Sequence, residues 1–308
     1  MKKLPLPWRK PSAGSPAAVG GTWDTGPSSL SSGRGAGPVL RAAGDSEASA
    51  TVYRLGPMNP RVTPLLAVAL NGSREHPRLP RTPAELAAAA RACLDAGAQV
   101  LHLHPYDANG RETLAAEPCA RALSAVRAAC PGVPISLSTS AAIEPDPGRR
   151  MELIAGWTVL PDLVTANQGE AGIAELCEHL LARGVGIEAG LLCLSDAEAF
   201  VRSGLADRCV RVLVEPLDAE PEAALAHAAA MEAVLDGAGI SLEQVHHGDG
   251  PASWAVCARA LGRGHGMRTG LEDVPVLPDG RPAPDNAALV RAAAAMIREL
   301  ARARSAGL

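Results

Sequence analysis

Eight short apolar runs, each followed by an Ala-, Leu-, Arg- and Glu-rich stretch at helical spacing, place the chain in the α/β class as a (β/α)8 TIM barrel with a disordered N-terminal extension. Two further observations agree. From residue 62 the units repeat about every 31 residues, the size of one strand–helix unit, over about 245 residues, close to the ~250 typical of such barrels. The rival, an open doubly wound sheet, would bring a G-x-G-x-x-G turn after its first strand, and that strand ends instead in Asn71-Gly72-Ser73-Arg74.

The units run in order. LLAVAL at 65–70 leads to a helix over 83–96, opened by Thr82-Pro83 with Glu85 and closed by Gly97. QVLHL at 99–103 precedes a helix over 116–130, and VPISL at 133–137 one over 147–157. DLVTA at 162–166 precedes 170–183, and GVGIE at 184–188 precedes 195–206. CVRVLV at 209–214 is followed by 221–238, LEQVH at 242–246 by 252–263, and GMRTGL at 266–271 by 285–304. Residues 1–60 hold 25 Gly, Ser or Pro and no apolar period, a composition that cannot repay its own ordering entropy. They are expected as a disordered extension, or as sequence upstream of a true start near Met58, with residues 61–308 as the catalytic domain.

Composition excludes several classes of function. With 47% hydrophobic but only 2% aromatic residues, the core is built from small aliphatic side chains. The longest apolar runs fall short of the ~18–20 residues that span a bilayer. The first 60 residues are basic, seven Lys and Arg against three Asp and Glu, while the remainder is acidic, 22 against 30, so the body carries no nucleic-acid footprint. All three lysines, Lys2, Lys3 and Lys10, lie in that tail. A lysine-free body rules out Schiff-base aldolases, pyridoxal-phosphate enzymes and Walker-type ATPases. The seven cysteines stand singly, as expected of buried thiols in a reducing cytoplasm, and MKKLPLPWRK lacks the apolar stretch of a secretory signal.

Barrel enzymes build their sites at the C-terminal ends of the strands. Those ends carry Asn71, His102 and His104, Ser138 and Thr139, Thr165 and Asn167, Glu188, Glu215, His246 and His247, and Glu272 and Asp273. Alternate residues of a strand share a face, so His102 and His104 both project into the mouth and can converge on one ion. The ordinary alternative is two separately satisfied histidines. Glu272 adds a carboxylate, and two His with one Glu leave an open position, as catalytic zinc sites do. With lysine absent, a metal is the natural electrophile. Arg268 shares a face with Glu272 and would either grip a substrate carboxylate or close the barrel by pairing with Glu188 or Asp273. His246-His247-Gly248-Asp249-Gly250 would present backbone N–H groups to an anion or serve as a tight turn. His76, His179, His227 and His265 read as surface or packing residues.

These features resemble one family over nearly all of residues 62–304: NG at 71–72, P-x-L-P-x-TPAEL at 77–86, AGAQVLHLHPYDANGR at 96–111, STS at 138–140, TAN at 165–167, MRTGLED at 267–273 and DNAALV at 285–290. The family is that of the beta-keto acid cleavage enzymes, typified by the enzyme that cleaves 3-keto-5-aminohexanoate. The resemblance implies a homo-oligomeric, zinc-dependent acyltransferase. Such an enzyme condenses a beta-keto acid with acetyl-CoA and splits the adduct to acetoacetate and a new CoA thioester. By position it implies His102, His104 and Glu272 as zinc ligands. It implies Ser138, Thr139, Thr165 and Asn167 as keto-acid contacts, and Arg268 and Asp273 at the reacting groups, with Glu188 supporting Asp273. Two residues depart from the pattern. Arg74, followed by Glu75, stands where the fermentation enzyme has a Glu that handles substrate, and Tyr106 where members usually carry Arg. A cation at residue 74 suits a substrate with an extra negative charge or an uncharged tail. The alternatives are a metal-dependent aldol-type lyase or hydrolase that does not use CoA, and a non-catalytic metabolite-binding barrel.

Overall fold

The computed structural model describes residues 63–305; the extension expected over residues 1–60 lies outside them. Within that span the eight units form a closed barrel in sequential order, β1 to β8, with parallel pairing between all neighbours and β8 returning to β1. The strands are β1 Leu66–Ala69, β2 Val100–Leu103, β3 Ile135–Ser138, β4 Leu163–Asn167, β5 Gly186–Leu191, β6 Arg211–Val214, β7 Glu243–His246 and β8 Gly266–Thr269. The helices that follow them are α1 Pro83–Ala96, α2 Ala116–Ala129, α3 Pro147–Ala155, α4 Ile173–Ala182, α5 Leu194–Ser203, α6 Pro221–Gly237, α7 Ser253–Arg263 and α8 Asn286–Ser305. The fold is the TIM barrel that the sequence predicts.

Local chemistry sets the element ends. Thr82 accepts from the Glu85 N–H while the Glu85 carboxylate accepts from the Thr82 N–H, a reciprocal cap that starts α1, and Gly97 ends it in the left-handed region at φ 117°. The final strand is shorter than the expected 266–271. A Cβ on Gly270 would lie 1.9 Å from the Ala69 carbonyl oxygen, so only glycine lets the chain leave β8 so close to β1. Asn286, from the DNAALV run, bridges the same junction by accepting from Leu271 N–H and donating to the Leu70 carbonyl.

Strand parity divides the core into two parts. One parity faces outward: Leu103, Val164, Ile187 and Val212 join the large aliphatic layer beneath the helices. The opposite parity faces the axis, where Ala67, Val100, Leu163, Leu213 and Val245 from five strands close the lower interior. Two residues further along four of these five strands, that same parity delivers His102, Thr165, Glu215 and His247 to the mouth.

Outside the barrel, Glu232 of α6 ties down α7 and the approach to β8 through Arg259, Arg263 and His265, with its side chain 3% exposed. Burial opposes the charge, but hydrogen bonds from His265, Arg259 and Arg263 outweigh it and hold the carboxyl at about 2. Because the folded value lies below the unfolded one, the stabilisation is complete above about pH 4.5 and disappears as pH falls toward 2. Urea unfolding of Glu232→Gln is expected to show a loss of about 3 kcal/mol at pH 7 that shrinks at pH 3. An equal loss at both pH values would contradict the assignment.

Candidate metal centre and active site

The inward parity of β2 sends His102 and its successor by two, His104, into the mouth. Their Nε2 atoms lie 3.1 Å apart, with the rings edge to face. Glu272, just beyond β8, reaches them over the end of β1, placing Oε1 3.3 Å from His104 Nε2 and Oε2 3.7 Å from His102 Nε2. That crossing depends on Gly72, where a Cβ would sit 2.6 Å from Glu272 Cγ. Asn71 fixes the other side by gripping the His104 backbone at both ends: its Oδ1 accepts from the N–H and its Nδ2 donates to the carbonyl, each at 2.8 Å.

The outer nitrogens show which atoms are free to bind. Ser136 donates its single proton to Glu188, so its oxygen is left to accept from His102 Nδ1 at 3.4 Å. His102 Nε2 then carries the lone pair. Thr165 Oγ1 stands 3.3 Å from the same Nδ1. His104 Nδ1 faces Glu112 Oε2 at 3.4 Å. Two lone-pair nitrogens at contact distance repel unless a cation lies between them. For a proton, the better host is His104: burial opposes its charge, but Glu272 and Glu112 raise it to about 10, while burial lowers His102. The donors also fit a divalent metal. Three ligand atoms lie within 4.8 Å of one another, and Glu272 Oε2 is buried without a hydrogen-bond partner. Two imidazoles and a carboxylate suit zinc and leave a position open.

A second cluster, Glu215, His247 and Asp273, lies beside the first. Its cation is already present: Arg268 Nη2 stands 2.6 Å from Asp273 Oδ1, 3.6 Å from Glu272 and 3.9 Å from Glu215, and its Nε donates to Asp273 Oδ2. Burial and the Glu272 charge raise Asp273 to about 6 against the pull of Arg268. Burial raises Glu215 to about 8, while burial and Arg268 lower His247.

The remaining candidates are distributed as follows. Thr139 donates to the Thr165 carbonyl and joins the ends of β3 and β4, while Ser138 Oγ accepts from Ser140 N–H. Asn167 donates to Glu170, which is paired in turn with the buried Arg150. Glu188 is held by Ser136 and by Arg211 at 2.9 Å; the carboxylates placed around Arg268 are Asp273, Glu272 and Glu215. Arg74 pairs with Asp249 and donates to the carbonyls of Glu272 and Asp273, so it braces the segment that carries the Glu272 carboxylate. In the 246–250 loop the Gly250 N–H donates to the Asp273 carbonyl, and the two histidines split by parity, His247 inward and His246 stacked on His265. Ser136, Arg211 and Glu112 were not signalled by strand-end position. Ser136 lies one inward step below Ser138 and Arg211 two below Glu215, whereas nothing in the spacing marks Glu112.

The sequence profile of the beta-keto acid cleavage enzyme family matches residues 65–305. A relative from Cupriavidus necator named 3-oxoadipate:acetyl-CoA acetyltransferase is 30% identical over 77% of this chain and 89% of its own length. Among solved structures, apo ObcA superposes with a TM-score of 0.58 at 18% identity over 74% of this chain and 63% of that one. A ternary complex of ObcA with a C4-CoA adduct and oxalate gives a TM-score of 0.61 at 18% identity, over 74% and 65% of the two chains. The chain thus spans less than two-thirds of the ObcA length, and at that identity the likeness concerns the fold alone.

Replacing Gly72 by Ala is expected to push the Glu272 carboxylate off the imidazoles. In metal-free protein, the NMR titration of His104 would then move down from about 10. An unchanged titration would show that Glu272 does not set the charge of this pair.

Proposed function

The chain belongs to the beta-keto acid cleavage enzymes, and from that premise we propose that it uses a zinc ion held by His102, His104 and Glu272 to exchange acyl groups between acetyl-CoA and a beta-keto acid. The observation that carries this reading is the convergence of those three donors beside the Arg268–Asp273 pair. When bound, the metal supplies Lewis acidity toward the oxygens of the keto acid. Asp273 takes the proton from the carbon between the keto and carboxylate groups, and a carboxyl at about 6 is ionised at neutral pH yet able to give the proton back. Arg268, fixed by two hydrogen bonds to Asp273, keeps that base aimed and adds positive charge where negative charge develops. Ser138, Thr165 and Asn167 line the neighbouring strand ends as contacts for the keto acid, with Thr139 holding those ends together.

The electron count closes without lysine or a redox partner. The deprotonated carbon bonds to the acetyl carbonyl and CoA leaves as thiolate. The thiolate attacks the original keto carbon, and the bond between that carbon and the former nucleophile breaks. The departing carbanion takes the proton from Asp273. The products are acetoacetate and a new CoA thioester.

The name of the Cupriavidus relative specifies a keto acid with a second carboxylate, and Arg74 at the mouth suits an anionic tail. Its pairing with Asp249 tempers that charge, so an uncharged tail fits as well. We read the protein as a homo-oligomer of the cytoplasm, with residues 61–308 as its catalytic unit. Six of its seven free thiols are buried, which fits a reducing compartment, and among the described residues no helix is long and apolar enough to cross a membrane.

The test combines metal analysis with a thioester assay over keto acids bearing neutral, cationic and anionic tails. Wild type is expected to bind one zinc per chain and to exchange thioesters, with the cationic tails poorest and Arg74→Glu reversing that order. His102→Ala and Glu272→Ala are expected to lose metal and at least 100-fold in activity, on the order of a catalytic group's contribution, while His227→Ala keeps both. Zinc without thioester exchange would point to a lyase, a hydrolase or a binding barrel. Absence of metal would overturn the reading altogether.

A further inference from the structure

The two ligand imidazoles are oriented by different chemistry. His102 turns its outer nitrogen to two hydroxyls, Ser136 and Thr165. His104 turns Nδ1 toward a carboxylate, Glu112 Oε2, at 3.4 Å. That nitrogen is buried without a hydrogen-bond partner, so the carboxylate facing it, whose side chain is 15% exposed, is the acceptor within its reach. A carboxylate facing the outer N–H of a ligand histidine fixes the tautomer, locks the ring and makes the metal-facing nitrogen a better donor.

Glu112 does not reach this place by chance flexibility. Residues 105–113 fold into a closed hairpin beyond β2, in which Asp107 N–H donates to the Arg111 carbonyl and Thr113 N–H to the Pro105 carbonyl. Asp107 Oδ1 accepts from the N–H groups of Asn109 and Arg111, and Gly110 takes φ 72° at the tip. Across this hairpin Tyr106 and Glu112 form an antiparallel bridge. The Tyr106 hydroxyl donates to the Gly72 carbonyl, at the glycine over which Glu272 crosses. Tyr106 thereby pins the hairpin to the metal-facing segment and holds Glu112 beneath His104 with little entropy left to lose.

We propose that Glu112 is a positioning residue that orients His104 and so sets the affinity of the site for its metal. The proposal rests on the metal-centre reading above, and its test separates the two. Wild type, Glu112→Ala and Glu112→Gln, each as the full chain stripped of metal, are titrated with Zn2+ against a chelator of known affinity. They are then titrated with Co2+, read by its visible absorption, and melted without metal. Glu112→Ala is expected to bind Zn2+ about 10- to 100-fold more weakly and to give an altered Co2+ spectrum, with a metal-free Tm like that of wild type. Glu112→Gln keeps an oxygen that can accept from Nδ1–H and is expected to recover most of the affinity. Equal affinities for wild type and Glu112→Ala would overturn the proposal and leave the metal centre standing. So would Gln no better than Ala together with a lowered metal-free Tm in both variants. A wild type that binds neither ion would overturn the metal-centre reading beneath it.

Discussion

Two imidazole nitrogens held 3.1 Å apart beside a carboxylate make a strong place for a cation, be it a shared proton or a metal, and much of the barrel mouth can be understood as what it takes to keep them there. Left free, the rings would turn until each lone pair found a donor. Asn71 prevents that by fixing the His104 backbone, Ser136 and Thr165 by engaging the outer nitrogen of His102, and Gly72 by leaving room for Glu272 to cross β1. Arg74 braces the same crossing from outside through the carbonyls of Glu272 and Asp273. Each of these contacts is modest alone. Together they hold an arrangement that positive charge stabilises, as the proposed metal site requires.

The absence of lysine from the barrel has a counterpart in its arginines. Guanidinium groups stay charged in the interior, so Arg268 and Arg211 act as fixed positive charges around which carboxylates are arranged. Glu188 is committed to Arg211 and Ser136 below the mouth. The groups left near neutrality are Asp273 at about 6 and Glu215 at about 8, joined by the buried His247, and these are the carboxyls on which proton movement would depend. On the proposed reading the site separates its roles: arginines hold charge, the histidines and Glu272 would hold the cation, and Asp273, aimed by Arg268, would exchange a proton.

Much of this was legible in the sequence. Repeating apolar runs with helical intervals specify eight units, and a parallel strand's alternation is enough to send His102 and its successor His104 to the inner face, whereas Glu272 reaches Arg268 and the histidines from a turn beyond β8. Element ends followed from local rules where those rules were strong, as at Thr82, Glu85 and Gly97. They were less legible where a tertiary contact decides: β8 stops at Thr269 because Gly270 passes against the Ala69 carbonyl, and α4 begins at Ile173 after a left-handed Gly172 rather than at residue 170. The partners of charged side chains were least legible of all. Glu188 pairs with Arg211 on the adjacent strand and Arg74 with Asp249 from the loop after β7, choices made by barrel closure and not by spacing. The carboxylate facing His104 comes from a hairpin whose shape depends on Asp107 and Gly110, so no short pattern reveals it.

The most direct test of the account follows the acetyl carbon itself. Zinc-loaded enzyme is incubated with acetyl-CoA labelled at the carbonyl carbon and an unlabelled beta-keto acid, and the products are read by 13C NMR. The label is expected at the keto carbon of acetoacetate, with an unlabelled acyl group in the new CoA thioester and no reaction once the metal is removed. Label remaining in acetyl-CoA while the keto acid is consumed, or turnover that persists without metal, would contradict it.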